Sequence, residues 1–202
     1  MILLGHNGAG KTTLINYLLG FYTSTDQHPF LAHFEEVATS YKMKSGEVTY
    51  APESTFFDPE MSAKDYFRLL GAIRNDDAFD PESLLRQVAL EVSLGTPIRK
   101  YSKGMKQRLM LALALIGKPG TLILDEPTGG LDHFSEKVVR ELIIRLAASH
   151  RLILSTHSLA LAAALDDEVW VLQQGRIVHT GPVLDEPALR NLLDRYPPEV
   201  LA

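Results

Sequence analysis

Cysteine is missing from all 202 residues, which excludes disulfides, thiolate metal centres and a cysteine nucleophile, and permits a reducing compartment. Long apolar runs are missing as well. The longest, Leu109 to Gly117, is about half of the ~20 residues that a membrane-crossing helix needs, so no direct membrane insertion is expected. There is no basic excess: the formal net charge is −5, against the basic surface or stripe that broad nucleic-acid binding requires, so no nucleic-acid partner is expected either. No internal repeat, low-complexity tract or Asn-Lys-x-Asp guanine motif occurs, and the last absence weighs against a GTPase. Met1-Ile2-Leu3-Leu4 carries no basic region and passes straight into glycine, so no secretory leader is expected. What is present is a 46% apolar composition, enough for one substantial core with a small appended lobe. The expected setting is the cytoplasm, with membrane contact made through a partner.

Ile2 to Leu4 followed by Gly5, then Thr12 to Leu19 closing near Gly20, reads as strand, glycine loop and helix. Residues 21 to 46 show no clear period, and Glu47 to Ala51 reads as a strand stopped by Pro52. From Phe56 to Lys118 the pattern is helical. Ser62 caps a helix through Arg74, and Asp80-Pro81 opens another through about Val92. Strands at Thr121–Leu124 and Leu152–Ser155 then alternate with a helix from about Ser135 to Ser149 whose Val138, Val139, Leu142, Ile143 and Leu146 share one face. Alternation of this kind predicts a mostly parallel sheet. Glu168–Gln173 and Arg176–Thr180 flank Gln174-Gly175 as a hairpin, and a last helix runs from Pro187 to Tyr196.

Gly5-His6-Asn7-Gly8-Ala9-Gly10-Lys11-Thr12 fits a glycine, four residues, then Gly-Lys-Ser/Thr, with Thr13 next to it. Glycines let consecutive backbone N–H groups face one concavity, and the following helix presents its positive end. Lys11 supplies a cation for the outer phosphates, and the Thr12 hydroxyl can ligate Mg²⁺. After the apolar Leu122-Ile123-Leu124 come Asp125 and Glu126. An isolated acidic pair is usually a solvated turn. Behind a phosphate loop, and at the C-terminal end of a parallel strand, Asp125 can instead hold the metal and Glu126 can polarise an attacking water. Ser102 precedes Leu109, Ala112, Leu113 and Ile116 at helical spacing and is a natural N-cap, so a second helix start offers N–H groups to an anion.

Tyr101-Ser102-Lys103-Gly104-Met105-Lys106-Gln107-Arg108 resembles the signature motif of ATP-binding-cassette ATPases, whose usual core is Leu-Ser-Gly-Gly-Gln. Tyr50-Ala51-Pro52-Glu53 is similar to that family's Q-loop, Gly129-Gly130-Leu131-Asp132 to its D-loop, and Ser155-Thr156-His157 to its switch histidine. With the phosphate loop and the carboxylate pair, these motifs stand in family order across essentially the whole chain. The resemblance implies an α/β P-loop NTPase with a mostly parallel sheet core, residues 1–55 and 119–202, and an inserted helical signature subdomain, residues 56–118. It implies ATP and Mg²⁺ as cofactors and ATP hydrolysis coupled to transport. By the same resemblance, residues Gly5 to Thr13 bind nucleotide; Thr12, Asp125 and Glu53 serve the metal; and Glu126, His157 and Lys11 are catalytic. Ser102 and Gly104 would contact a γ-phosphate held by the opposite subunit, and Asp132 would couple the two sites. The implied partners are a second ATPase subunit in a homodimer and a transmembrane permease, which would hold the chain at the inner face of the cell membrane and dock near Glu53 and Phe56 to Ile73.

Three departures stand out. Glu53 replaces the usual Gln, and Lys103 and Met105 replace Gly and Gln in the signature, both as in exporter-like members of the family. The chain also begins on the strand entering the phosphate loop, so the usual N-terminal strands and the adenine-stacking aromatic are expected to be lacking. The competing expectations are a soluble cassette ATPase without a transport role and a catalytically impaired nucleotide-binding module. The first is opposed by the separation of only 91 positions from Lys11 to Ser102, too short for the long coiled coil of chromosome-type relatives, and by the presence of one cassette rather than two. The second is opposed by the presence of Lys11, Asp125, Glu126 and His157 together.

Overall fold

The protein's structure is a computed structural model that describes residues 1–22, 34, 48–54, 56–76 and 78–197. Most of the stretch from 21 to 46 that has no clear sequence period lies outside the described residues. The chain forms two compact units, one of Met1–Ser45, Ile123–Glu126 and Leu152–Ala202, the other of Gly46–Leu122 and Pro127–Arg151.

The first unit is built on strands. β1 (Ile2–Leu4) is entirely buried. It runs parallel to β4 (Arg151–Thr156), with Leu4 opposite Thr156, and parallel to β5 (Glu168–Gln173), with Leu4 opposite Val171. β3 (Thr121–Asp125) follows β4 on the far side, and β6 (Arg176–Pro182) closes the order β3-β4-β1-β5-β6 by pairing antiparallel with β5. The hairpin turn places both Gln174 and Gly175 at positive φ, the requirement of a two-residue primed turn. Buried Leu3, Leu4, Leu154, Val169 and Val171 have no polar alternate, the mark of strands covered on both faces. Because β1 and β4 are parallel and in register, the loops after Leu4 and Thr156 leave the sheet at the same end.

Helix α1 (Lys11–Leu18) buries Lys11, Leu14, Ile15 and Leu18 along one face. The described residues of the unit also include two short helices, α6 (Leu159–Ala163), capped by Ser158, and α7 (Glu186–Asp194), capped by Asp185. α6 is absent from the sequence reading because five residues carry too little period to register. α7 ends at Asp194 rather than at Tyr196, and its Asp185 cap starts it one residue early.

In the second unit, β2 (Val48–Ala51) precedes α2 (Ala63–Arg74), which opens on a capping box. The Asp65 carboxylate accepts from the Ser62 N–H at 2.8 Å and from its hydroxyl at 2.6 Å. These hydrogen bonds hold Asp65 below the usual carboxylate value. At the other end of α2, Arg74 donates to Thr49 Oγ1 at 2.7 Å and to the Ile116 carbonyl at 2.8 Å, joining three segments of the unit. Partial burial lowers its guanidinium pKa.

α3 (Pro81–Gln87) starts at Asp80-Pro81 as expected but stops short of Val92. Ala89 takes a φ of 52°, and the Leu90 N–H returns to the Leu85 carbonyl at 2.9 Å, so the chain turns to bury Leu90. A single 3₁₀ turn (Ile98–Lys100) leads into α4 (Lys103–Ala114), whose N-cap is Ser102. α5 (His133–Ala147) begins two residues before the expected start because Asp132, not a later residue, caps it.

Candidate functional site

In the first unit the loop between β1 and α1 is set by backbone. Gly10 is the N-cap of α1 at φ 102°, a region that side chains rarely enter. The Ala9 N–H donates to the His6 carbonyl at 3.1 Å, and the Ala9 carbonyl accepts from the Gly175 N–H of the hairpin at 2.8 Å. Gly5 and Ala9 are buried, His6 and Gly10 half-buried, and Asn7 and Gly8 exposed, so the crest of the loop faces solvent. Thr12 is exposed on the first turn of α1 and Thr13 half-buried.

Lys11 lies under the loop, only 6% exposed. Its ammonium donates to the Gly5 carbonyl at 2.7 Å and to the His6 carbonyl at 3.2 Å, and it faces Glu126 Oε1 at 3.0 Å. The Lys11–Glu126 contact is an ion pair whose angles do not make an aligned hydrogen bond. Glu126, 7% exposed, has its other oxygen occupied by His157, which approaches through its ring Nδ1 at 2.8 Å and its backbone N–H at 3.2 Å. His157 itself is 57% exposed. One carboxylate therefore has a buried cation on one oxygen and a solvent-facing imidazole on the other.

Glu126 follows β3 at a φ of 43°, left-handed for a residue with a side chain. Its N–H donates to both the Ser155 carbonyl at 3.1 Å and the Ser155 hydroxyl oxygen at 2.9 Å. The same hydroxyl donates to Asp125 Oδ1. Asp125 is 1% exposed and Ser155 is fully buried. Lys11, Asp125, Glu126 and His157, four of the residues singled out from sequence, are thus gathered at the ends of three strands within one unit. Ser155 completes the cluster and had no role in the sequence reading. Its signal was a hydroxyl directly after the apolar run Leu152-Ile153-Leu154, since a buried polar group calls for a partner.

The remaining sequence-predicted residues lie in the second unit. Glu53 is exposed just past β2. Ser102 is exposed and caps α4, its hydroxyl oxygen accepting from the Met105 N–H at 3.2 Å. Gly104, one residue into α4, is buried against α5. A Cβ there would stand 2.5 Å from Ser135 Oγ and 2.8 Å from Ser135 Cβ, so only glycine permits this approach. Asp132, exposed, accepts from the Ser135 N–H at 2.9 Å and the Ser135 hydroxyl at 2.7 Å. These bonds hold its pKa below 3.8. Ser135, also without a role from sequence, touches both the start of α4 and the cap of α5.

The buried Asp125 carboxylate and the Thr12 hydroxyl on the first turn of α1 are hard oxygen donors of the kind that suits Mg²⁺, which keeps several waters and takes one or two carboxylates plus substrate phosphates. The donor types of Asp125 and Thr12 fit that metal. No group of three or more His, Asp or Glu side chains able to hold an ion by themselves occurs among the described residues. No helix among the described residues is long and apolar enough to cross a membrane.

The ABC transporter family profile matches residues 1–129. An uncharacterized ABC transporter ATP-binding protein of Methanocaldococcus jannaschii, MJ1023, is 30% identical over 188 residues, covering 91% of this chain and 67% of that protein. The human retinal-specific phospholipid-transporting ATPase ABCA4 is 28% identical over 185 residues, 90% of this chain but only 8% of that protein, so the chain spans less than a tenth of that relative. Among solved structures, an ATP binding subunit of an ABC transporter superposes with a TM-score of 0.68 at 26% identity, covering 96% of this chain and 82% of that one.

Proposed function

The chain belongs to the ABC transporter family, and from that premise we propose that it is the ATP-binding and ATP-hydrolysing subunit of a transporter, closing head to tail on a second copy around two Mg-ATP to drive a separate transmembrane permease. The observation that carries the reading is the convergence of Lys11, Asp125 and His157 on the surroundings of one carboxylate, Glu126, at the C-terminal ends of parallel strands. That is where open α/β sheets bind their ligands.

In this reading the backbone N–H groups from Gly5 to Thr13 cradle the phosphates and Lys11 offsets their charge. Thr12, Asp125 and Glu53 are the residues that would serve Mg²⁺. The metal, when bound, supplies charge neutralisation on the transferring phosphate. Glu126 accepts the proton of the attacking water, and His157, hydrogen-bonded to Glu126 while facing solvent, orients that carboxylate and braces the terminal phosphate. Residues 1–55 and 119–202 act as the catalytic core and 56–118 as the signature subdomain. Ser102 and Gly104 present the N-terminal end of α4 to the nucleotide of the second copy, and Asp132 couples the two sites. The permease holds the assembly at the cytoplasmic face of a membrane, and the exposed Phe56, Leu69 and Ile73 form part of its docking surface.

The test is Mg²⁺-dependent ATP hydrolysis measured against protein concentration. Each site draws residues from two copies, so specific activity rises with concentration through the range where the dimer forms. Specific activity that stays constant where sedimentation shows a monomer overturns the composite site.

A further inference from the structure

Ser155 lies in the middle of the catalytic cluster. We propose that Ser155 is a positioning residue whose single hydroxyl sets both carboxylates of the site, Asp125 through its side chain and Glu126 through its backbone; this role rests on the reading of the cluster as a Mg-ATP site. A serine hydroxyl has one proton to give and two lone pairs to offer. Here the proton goes to Asp125 Oδ1 and one lone pair takes the Glu126 N–H at 2.9 Å, while the Ser155 carbonyl shares that N–H at 3.1 Å. The bifurcated bond holds Glu126 in its left-handed turn at φ 43°. That turn lets the side chain meet Lys11 at 3.0 Å and His157 at 2.8 Å.

His157 lies two residues beyond Ser155, and its own N–H reaches Glu126 Oε2. One strand end therefore fixes the backbone of Glu126, its side chain and the neighbouring carboxylate. Strand packing does not require a serine here. Leu152, Ile153 and Leu154 are all buried, and an apolar residue would continue the run at no cost in burial. It would leave Asp125, 1% exposed, without this donor. Partners that orient a metal-holding carboxylate commonly contribute about 10- to 100-fold in metal affinity or activity.

The experiment uses Ser155→Ala and Ser155→Cys in the full chain. Cysteine keeps the branching of the serine side chain, with a larger sulfur and only a weak donor, so it gives a second reading if the alanine variant does not fold. ATP affinity is titrated in EDTA and again in Mg²⁺, Mn²⁺ retention in the presence of ATP is followed by electron paramagnetic resonance, and thermal stability is recorded beside them. The expected result is affinity in EDTA within about twofold of the unchanged chain, since the phosphate loop is intact, and a rise of roughly tenfold or more in the Mg²⁺ or Mn²⁺ needed for half-saturation. Turnover falls by a comparable factor. A lowered melting temperature with unaltered metal dependence in both variants overturns the positioning role and leaves Ser155 a buried polar partner only. Absence of any metal-dependent gain in the unchanged chain is a different failure: it overturns the Mg-ATP reading of the site and this role with it.

Discussion

Lys11, Asp125 and Glu126 lie almost wholly inside the first unit, whereas Ser102 and Asp132 stand exposed at helix starts in the second. The first group is held by charge. A buried ion pair loses much when one partner is removed, because the remaining charge has no solvent to fall back on, so Lys11, Glu126 and their neighbours depend on one another. The second group is held by caps and by close approach. Ser102 and Asp132 satisfy helix N–H groups at α4 and α5, and Gly104 lets the two helices touch at Ser135. Changes of charge should therefore act on the first unit's part of the function and changes of shape on the second's.

The sharpest break in that contrast is Glu126→Gln. The side chain keeps its size and loses the ability to accept a proton, so ATP binding persists while turnover falls by about 10²- to 10⁴-fold, the usual share of a general base. An ATP-bound dimer should accumulate, visible by size-exclusion chromatography with ATP and Mg²⁺. Turnover above about a tenth of the original rate would place water activation on another group.

The two regions also differ in how far their sequence announces them. The phosphate loop, the Asp125-Glu126 pair and the caps at Ser62, Asp80 and Ser102 can all be read directly, because each rests on local backbone geometry that a few adjacent residues specify. Contacts between distant segments are not legible in that way. That Glu126 is bracketed by Lys11 and His157 depends on the β1–β4 register, Leu4 against Thr156, which no local pattern encodes. The roles of Ser155 and Ser135 have no local signature for the same reason: their partners lie 29 or 30 residues away in the case of Ser155, and across a helix–helix contact in the case of Ser135 and Gly104. Ala89 marks another limit, since an alanine gives no warning of a left-handed turn, and α3 consequently ends well before its apolar pattern does.

A smaller effect, and one of shape, is expected from Gly104→Ala. The new Cβ would need to lie 2.5 Å from Ser135 Oγ, so the starts of α4 and α5 must part. Overpacking of this kind costs about 1–3 kcal/mol. Carried into the closed dimer, that is roughly a 5- to 150-fold loss of turnover. ATP binding by the separate chain should be unchanged, because the phosphate loop belongs to the other unit. Replacing Ser135 by Gly in the same chain removes the obstructing side chain and should restore part of the lost activity. A double variant no better than Gly104→Ala alone would show that the glycine matters for its contact with nucleotide and not for helix packing.

The smallest effect separates the two things Ser135 does, which are to pack against Gly104 and to stabilise the Asp132 carboxylate. The Ser135 backbone N–H and hydroxyl together hold the Asp132 pKa below 3.8. A carboxylate whose pKa is depressed on folding adds stability that is fully present above its unfolded-state value and is lost as pH falls through the folded-state value. Ser135→Ala removes the hydroxyl bond and leaves the backbone bond, so part of the depression should remain. The melting temperature of the variant should accordingly lie slightly below that of the unchanged chain at neutral pH. The gap should stay level down to the ordinary carboxylate range and close at lower pH, where Asp132 is protonated in both proteins and the hydroxyl no longer bonds a charge. Thermal unfolding followed by circular dichroism in a series of buffers from neutral to acid would record this. A gap that stays constant across the whole series would mean that the hydroxyl contributes through its contact with the start of α4, making Ser135 a packing residue and leaving the cap of α5 to the backbone N–H alone.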